Sequence, residues 1–124
     1  MTLAEAIRNR LIDSGAEDVF IIDAPAPEEP CIVVSPYMSE PEDSAPFSWE
    51  SFQIRASGYT YPDAEKRGWD AYKALVMAKL EGADRRCLSH VIPQSEPVFI
   101  GKDPGGMYVI GFNIRFAATY KGDE

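Results

Sequence analysis

The chain has 124 residues, 45% hydrophobic and 26% charged, the size and balance of one globular domain. A net charge of −8 argues against a duplex-binding protein, because such binding rests on Lys and Arg neutralising phosphates. No apolar run nears the ~20 residues of a membrane helix, and the N-terminus lacks a charged-then-apolar signal pattern, so a cytoplasmic chain with reduced thiols is expected.

Thr2-Leu3-Ala4-Glu5 fits a capping box, Leu3, Ile7 and Leu11 recur at helical spacing, and Gly15 is a natural stop. These signals predict a helix over 3–14 with one apolar face. Val19-Phe20-Ile21-Ile22 and Cys31-Ile32-Val33-Val34 are short apolar runs that suit strands. Pro25, Pro27 and Pro30, with Glu28 and Glu29 among them, predict a loose acidic loop that joins the two runs as an antiparallel pair. Residues 35–48 read SPYMSEPEDSAPFS, with three prolines and three acids and neither helical nor strand period. The expectation there is a long loop, mobile when the chain is alone, that is either functional or a tolerated surface excursion. Its acids are Glu40, Glu42 and Asp43, and its apolar residues Tyr37, Met38 and Phe47 lack an evident partner.

Trp49 to Ser57 alternates, with Phe52, Ile54 and Ala56 against Trp49, Ser51, Gln53 and Arg55, which predicts a third strand. Gly58 ends it, and Pro62 opens a helix expected to run to about Leu80 and stop at Gly82. Ala64, Gly68, Ala71, Tyr72, Leu75 and Ala78 form its inner stripe. Trp69, Val76 and Leu80 form a second apolar edge, for helix 1 or for another subunit. Gly68 costs roughly 1 kcal/mol against Ala inside a helix, so it points to a close approach. Leu88 to Ile92 is a fourth expected strand, ended by Pro93.

The longest pattern closes the chain. From Met107 the residues alternate strictly, with Tyr108, Ile110, Phe112, Ile114, Phe116, Ala118 and Tyr120 on one side. Val109, Asn113, Arg115 and Thr119 lie on the other, only weakly polar, and a neighbouring subunit could cover them. Pro97-Val98-Phe99-Ile100 begins this hairpin, and Asp103-Pro104-Gly105-Gly106 is its turn. The predicted class is α+β in the order α-β-β-β-α-β-β: a single domain over 1–124 with one mostly antiparallel sheet, two helices packed on it and a frayed tail at 121–124.

Catalytic signals are absent. Gly101 to Gly106 lacks the Gly-Lys-Ser/Thr ending and following helix of a phosphate loop. Cys31, Cys87 and the lone His90 fit no metal or redox spacing. No catalytic residue, cofactor or metal ligand is nominated, and the expectation is a protein that is not an enzyme. The charge is unevenly placed: ten acids and no Lys or Arg lie between Arg10 and Arg55. The bland reading is a solvated acidic face that keeps the chain soluble, and the functional one is a surface complementary to a basic partner or one that repels DNA.

Three stretches resemble the small tail-terminator and minor capsid proteins of long-tailed bacteriophages. They are Phe52-Gln53-Ile54-Arg55 running through Gly58 and Tyr59, the helix with Ala64, Ala71, Tyr72 and Leu75, and Pro97-Val98-Phe99-Ile100-Gly101-Lys102-Asp103 before a long aromatic strand. The turn Pro104-Gly105-Gly106 is less polar than is usual in that family. The resemblance implies a ring, commonly hexameric, that caps the tail tube and stops its growth. It implies as partners other copies of the chain, the tail tube protein and the head connector, with DNA passing nearby without specific binding and no membrane. It places the protein in the virion neck, after assembly in the host cytoplasm. Candidate interface residues are Tyr37, Met38, Glu40, Glu42, Asp43, Phe47, Trp69, Val76, Val109 and Arg115. The competing reading is a cytoplasmic adaptor that holds a partner by a sheet edge and the acidic loop.

Overall fold

The computed structural model describes residues 1–22 and 29–120. The proline-rich connection at 23–28 and the tail at 121–124 lie outside the described residues. The elements are α1 (Leu3–Asp13), β1 (Val19–Ile21), β2 (Ile32–Pro41), β3 (Phe47–Gly58), α2 (Tyr61–Leu75), β4 (Ile92–Pro93), β5 (Val98–Lys102) and β6 (Tyr108–Thr119). They form one six-stranded sheet in the order β1-β2-β3-β6-β4, with β5 also on β6. The α+β class is as expected, with one strand more than the predicted order.

Helix α1 begins as its sequence dictates. The Thr2 side chain accepts from the Glu5 N–H, and the Glu5 carboxylate accepts from the Thr2 N–H, so two orphan donors are satisfied together. Gly15 leaves the helix at φ +106°, where a side chain would be strained. Helix α2 is capped by Thr60, with Pro62 in its first turn. It is shorter than expected: Val76 leaves the helix at ψ 127° and Met77 sits at φ +60°. The Met77 N–H then donates to the Val91 carbonyl, and the Val91 N–H to that of Ala78. Residues 76–80 therefore belong to a return segment and not to the helix. Leu80 still reaches the core, but by another route.

Long strands β3 and β6 pair antiparallel over their whole lengths, from Phe47↔Thr119 to Gly58↔Tyr108. The buried stripe is the predicted one: Ile110, Phe112, Ile114, Phe116 and Ala118. It meets Phe52, Ile54 and Ala56 of β3 and Ile32 and Val34 of β2, which register puts on the same face. Leu3, Ile7 and Leu11 of α1 and Ala71 and Leu75 of α2 complete that core. Phe52 stacks on Phe116 at 5.6 Å. Both helices thus cover one face of the sheet. Among the described residues no helix covers the other face, which carries Trp49, Gln53, Arg55, Val109, Asn113 and Arg115.

Three expectations about strands are corrected. First, β1 and β2 pair parallel, Val19↔Ile32 to Ile21↔Val34, and not as an antiparallel pair. Two matching apolar runs carry no signal of direction, so pattern alone could not set it. Second, the segment at 35–48 is not a loop. β2 runs on to Pro41, and β3 starts at Phe47, so 36–47 is a hairpin arm with a bulge between Pro36 and Met38. Among the described residues the arm has no outer strand beyond Val34, and an edge strand tolerates proline because only its inner side must donate. Third, Leu88 to Val91 is not a strand. Only Ile92 and Pro93 pair with β6, so Pro93 lies within the short strand and not after it.

Candidate assembly surfaces

The arm is tied down at its root. The Glu50 carboxylate accepts from the Ser39 and Ser48 hydroxyls and from Arg85 Nη1 at 2.9 Å. Arg85 Nη2 donates to Ser48 Oγ at 2.6 Å, and its Nε donates to the Thr119 carbonyl at 2.6 Å. Glu50 is 8% exposed and sits on the core face of β3, so this carboxylate is held by directed donors, not by water. Sequence reasoning missed this cluster. Its signal was an acid in the strand position that alternation assigns to the core.

At the arm's tip, Glu42 N–H donates to the Phe47 carbonyl, and Ser44 takes φ +61°. Trp49 Nε1 donates to the Glu42 carboxylate at 2.8 Å. Phe47 meets the Trp49 ring edge-on at 5.8 Å, and the Arg115 guanidinium lies 4.4 Å over that ring. Tyr37, Met38, Glu40, Glu42 and Asp43 are exposed. Tyr37 reaches across the open face to donate to Gln94 Oε1 at 2.9 Å. The structure thus brings Met38, Glu40, Glu42, Asp43, Phe47 and Arg115 to one end of the open face. Val109 lies on the same face at its other end, paired with Ser57.

Trp69 and Val76 are not part of this group. Both are half-buried on the helical side, where Trp69 packs edge-on against Tyr72 at 5.4 Å and Tyr72 against Phe112. Val76 caps α2. The terminal strand is central: β6 has β3 on one side and β4 and β5 on the other.

On that second side β5 presents an edge, and its exposed row is Val98 (58%), Phe99 (48%) and Ile100 (50%). Phe99 and Tyr108 gather round Tyr61 at the start of α2, and Lys102 lies 4.6 Å over the Tyr108 ring. A fully apolar run on an unprotected edge is a template for association. Pattern reading placed these residues in a strand but gave no sign that they form its outer edge.

A groove of about 780 Å³ lies between the end of α1 and the outer side of α2. Its Lys66 and Asp70 pair with each other at 2.7 Å. Among the described residues, no group of three or more His, Cys, Asp or Glu side chains is placed to hold a metal. Among the described residues no helix is long and apolar enough to cross a membrane.

Comparison with solved structures places this fold beside a chain from a structure described as "Virion of native gene transfer agent (GTA) particle". The TM-score is 0.69 at 15% identity, over 95% of each chain, which is a likeness of fold. No curated protein matches the chain. The family model described as "Bacteriophage tail terminator protein" matches residues 7–120, from the middle of α1 to the end of β6. That match takes in the core, the arm and both lateral edges of the sheet, and the chain belongs to the bacteriophage tail terminator protein family.

Proposed function

We propose that copies of this chain close into a ring, commonly of six subunits, that caps the finished tail tube, ends its polymerisation and offers the surface that meets the head connector. The observation that carries this reading is the family match over residues 7–120. A cyclic ring needs a heterologous contact, in which two different patches of one subunit meet head to tail. The two lateral edges of this sheet are suitably unlike. One presents the acidic arm, and the other presents Leu88 and the apolar row of β5. The net charge of −8 suits a ring through which DNA passes without being gripped. The residues named above serve as interface, with no catalytic or cofactor role, and the protein resides in the virion neck.

The test is to mix the purified chain with growing tail tube protein and to image the ends. Tubes that stop at a ring of this chain support the reading. Tubes that grow on regardless, with no end-on density, refute it.

A further inference from the structure

We infer that the seam between neighbouring copies joins the acidic β2–β3 arm of one copy to the basic segment at 79–90 of the next. The inference rests on the ring reading above and adds which surfaces meet.

Register sets the level of the two surfaces. Pro41 pairs with Ser48, Ser48 with Ala118, and Ala118 bridges Cys87, so one row crosses the sheet from the arm to the opposite edge. In the next row Glu40 pairs with Trp49 and Trp49 with Ala117, whose carbonyl accepts from the Leu88 N–H. Copies set side by side at one level therefore bring Glu40 of one opposite Leu88 of the next.

Charge then distinguishes the two edges. Glu40, Glu42 and Asp43 are exposed, and among the described residues they form no ion pair. The chain has no Lys or Arg between Arg10 and Arg55, so the arm supplies no cation of its own. On the other edge Arg86 is exposed and, among the described residues, forms no ion pair, and exposed Lys79 donates to the Cys87 carbonyl at 3.2 Å. Asp84 of that segment is taken by the Met1 amine at 2.6 Å, which leaves Glu81 against Lys79 and Arg86. An apolar group stands on each side as well: Met38 is exposed on the arm, and Leu88 on the facing segment.

The contact is made by side chains and not by strand addition. Pro36, Pro41 and the bulge interrupt the donor row of the arm, and Pro93 interrupts that of β4. Proline and bulges are the devices that stop an edge from pairing. Opposite charges across such a seam fix its register and its direction, which a ring needs more than raw affinity.

The full chain is assembled alone and on tail tube, with ring mass read by native mass spectrometry. Charge reversal on either side, Glu42→Lys/Asp43→Lys or Lys79→Glu/Arg86→Glu, is expected to raise the concentration for half-assembly at least about tenfold. All four substitutions in one chain are expected to restore it. A second variant, Glu40→Cys/Leu88→Cys, reads proximity directly. Within one copy these positions stand three strand spacings of about 4.8 Å apart, beyond disulfide reach, so any bond between them links two copies. Oxidation is expected to give a covalent ladder up to the ring. A wild type that never forms a ring, free or on tube, overturns the ring reading itself. Rings that form equally well after charge reversal, or that give no ladder, overturn this seam and leave the ring reading standing.

Discussion

Gly68 shows how one residue fixes the distance between layers. A Cβ there would stand 2.6 Å from Ile110 Cγ2 and 3.1 Å from its Cβ, and Ile110 is buried in the sheet. Two effects oppose each other in Gly68→Ala. Helix propensity favours Ala by about 1 kcal/mol, while overpacking a tight core costs about 1–3 kcal/mol. Ile110 is 1% exposed and has nowhere to move, so the clash wins and the variant is less stable. Chemical denaturation should show a lower midpoint with an unchanged slope. The same packing governs the thiols. Burial holds Cys87 above its ordinary thiol pKa, outweighing the attraction of Lys79 and Arg85 for the thiolate. Cys31 is buried too. Because a thiol reagent must reach the sulfur, both buried cysteines are expected to stay unreactive at mildly alkaline pH until denaturant is added. Rapid reaction of either one in the native protein would contradict the packing described.

The arm is the element whose sequence was hardest to read, and the reason is physical. Alternation reports that one face is buried, not that a segment is extended. Residues 37–43 are exposed on both faces, so they carry no period although β2 runs through most of them. β3 and β6 lie between core and open face, and their period showed at once. The end of α2 misled for a related reason: Val76, Ala78 and Leu80 extend the apolar pattern, yet they pack as a return segment held by Val91. Strand direction in β1–β2 left no trace at all, because parallel and antiparallel partners bury the same residues. What holds the arm is the Arg85–Glu50 pair, whose side chains are 18% and 10% exposed. Removing one partner of such a pair leaves a desolvated charge, so Arg85→Met is expected to cost about 3 kcal/mol, toward the low end for buried pairs. Arg85→Met/Glu50→Met removes both charges and is expected to be more stable than Arg85→Met alone, as read by a double-mutant cycle. A double variant at least as unstable as the sum of the singles would mean that the cluster acts through packing.

At the scale of the whole molecule, the sheet has two faces with different duties, and β3 and β6 contribute to both. On the covered face a single cluster joins α1, α2 and the four strands that reach it, so its loss is the loss of the fold. Net stability of a domain this size is about 5–15 kcal/mol. An unpaired carboxylate in the core costs several kcal/mol, a large share of that total. Ile114 is fully buried at the centre of the cluster, between Phe52 across the ladder and Phe112 and Phe116 along its own strand. Ile114→Asp is therefore expected to unfold the chain, with loss of its circular dichroism minimum and of its melting transition. Its neighbour on the same strand points the other way. Asn113 is half-buried on the open face, and its backbone N–H is held by Ser95 Oγ whatever its side chain. Asn113→Asp should melt within a few degrees of wild type. The same charge on adjacent residues thus separates the face that makes the fold from the face left for other chains. If both variants melted alike, the division of the sheet into a core face and an open face would be wrong.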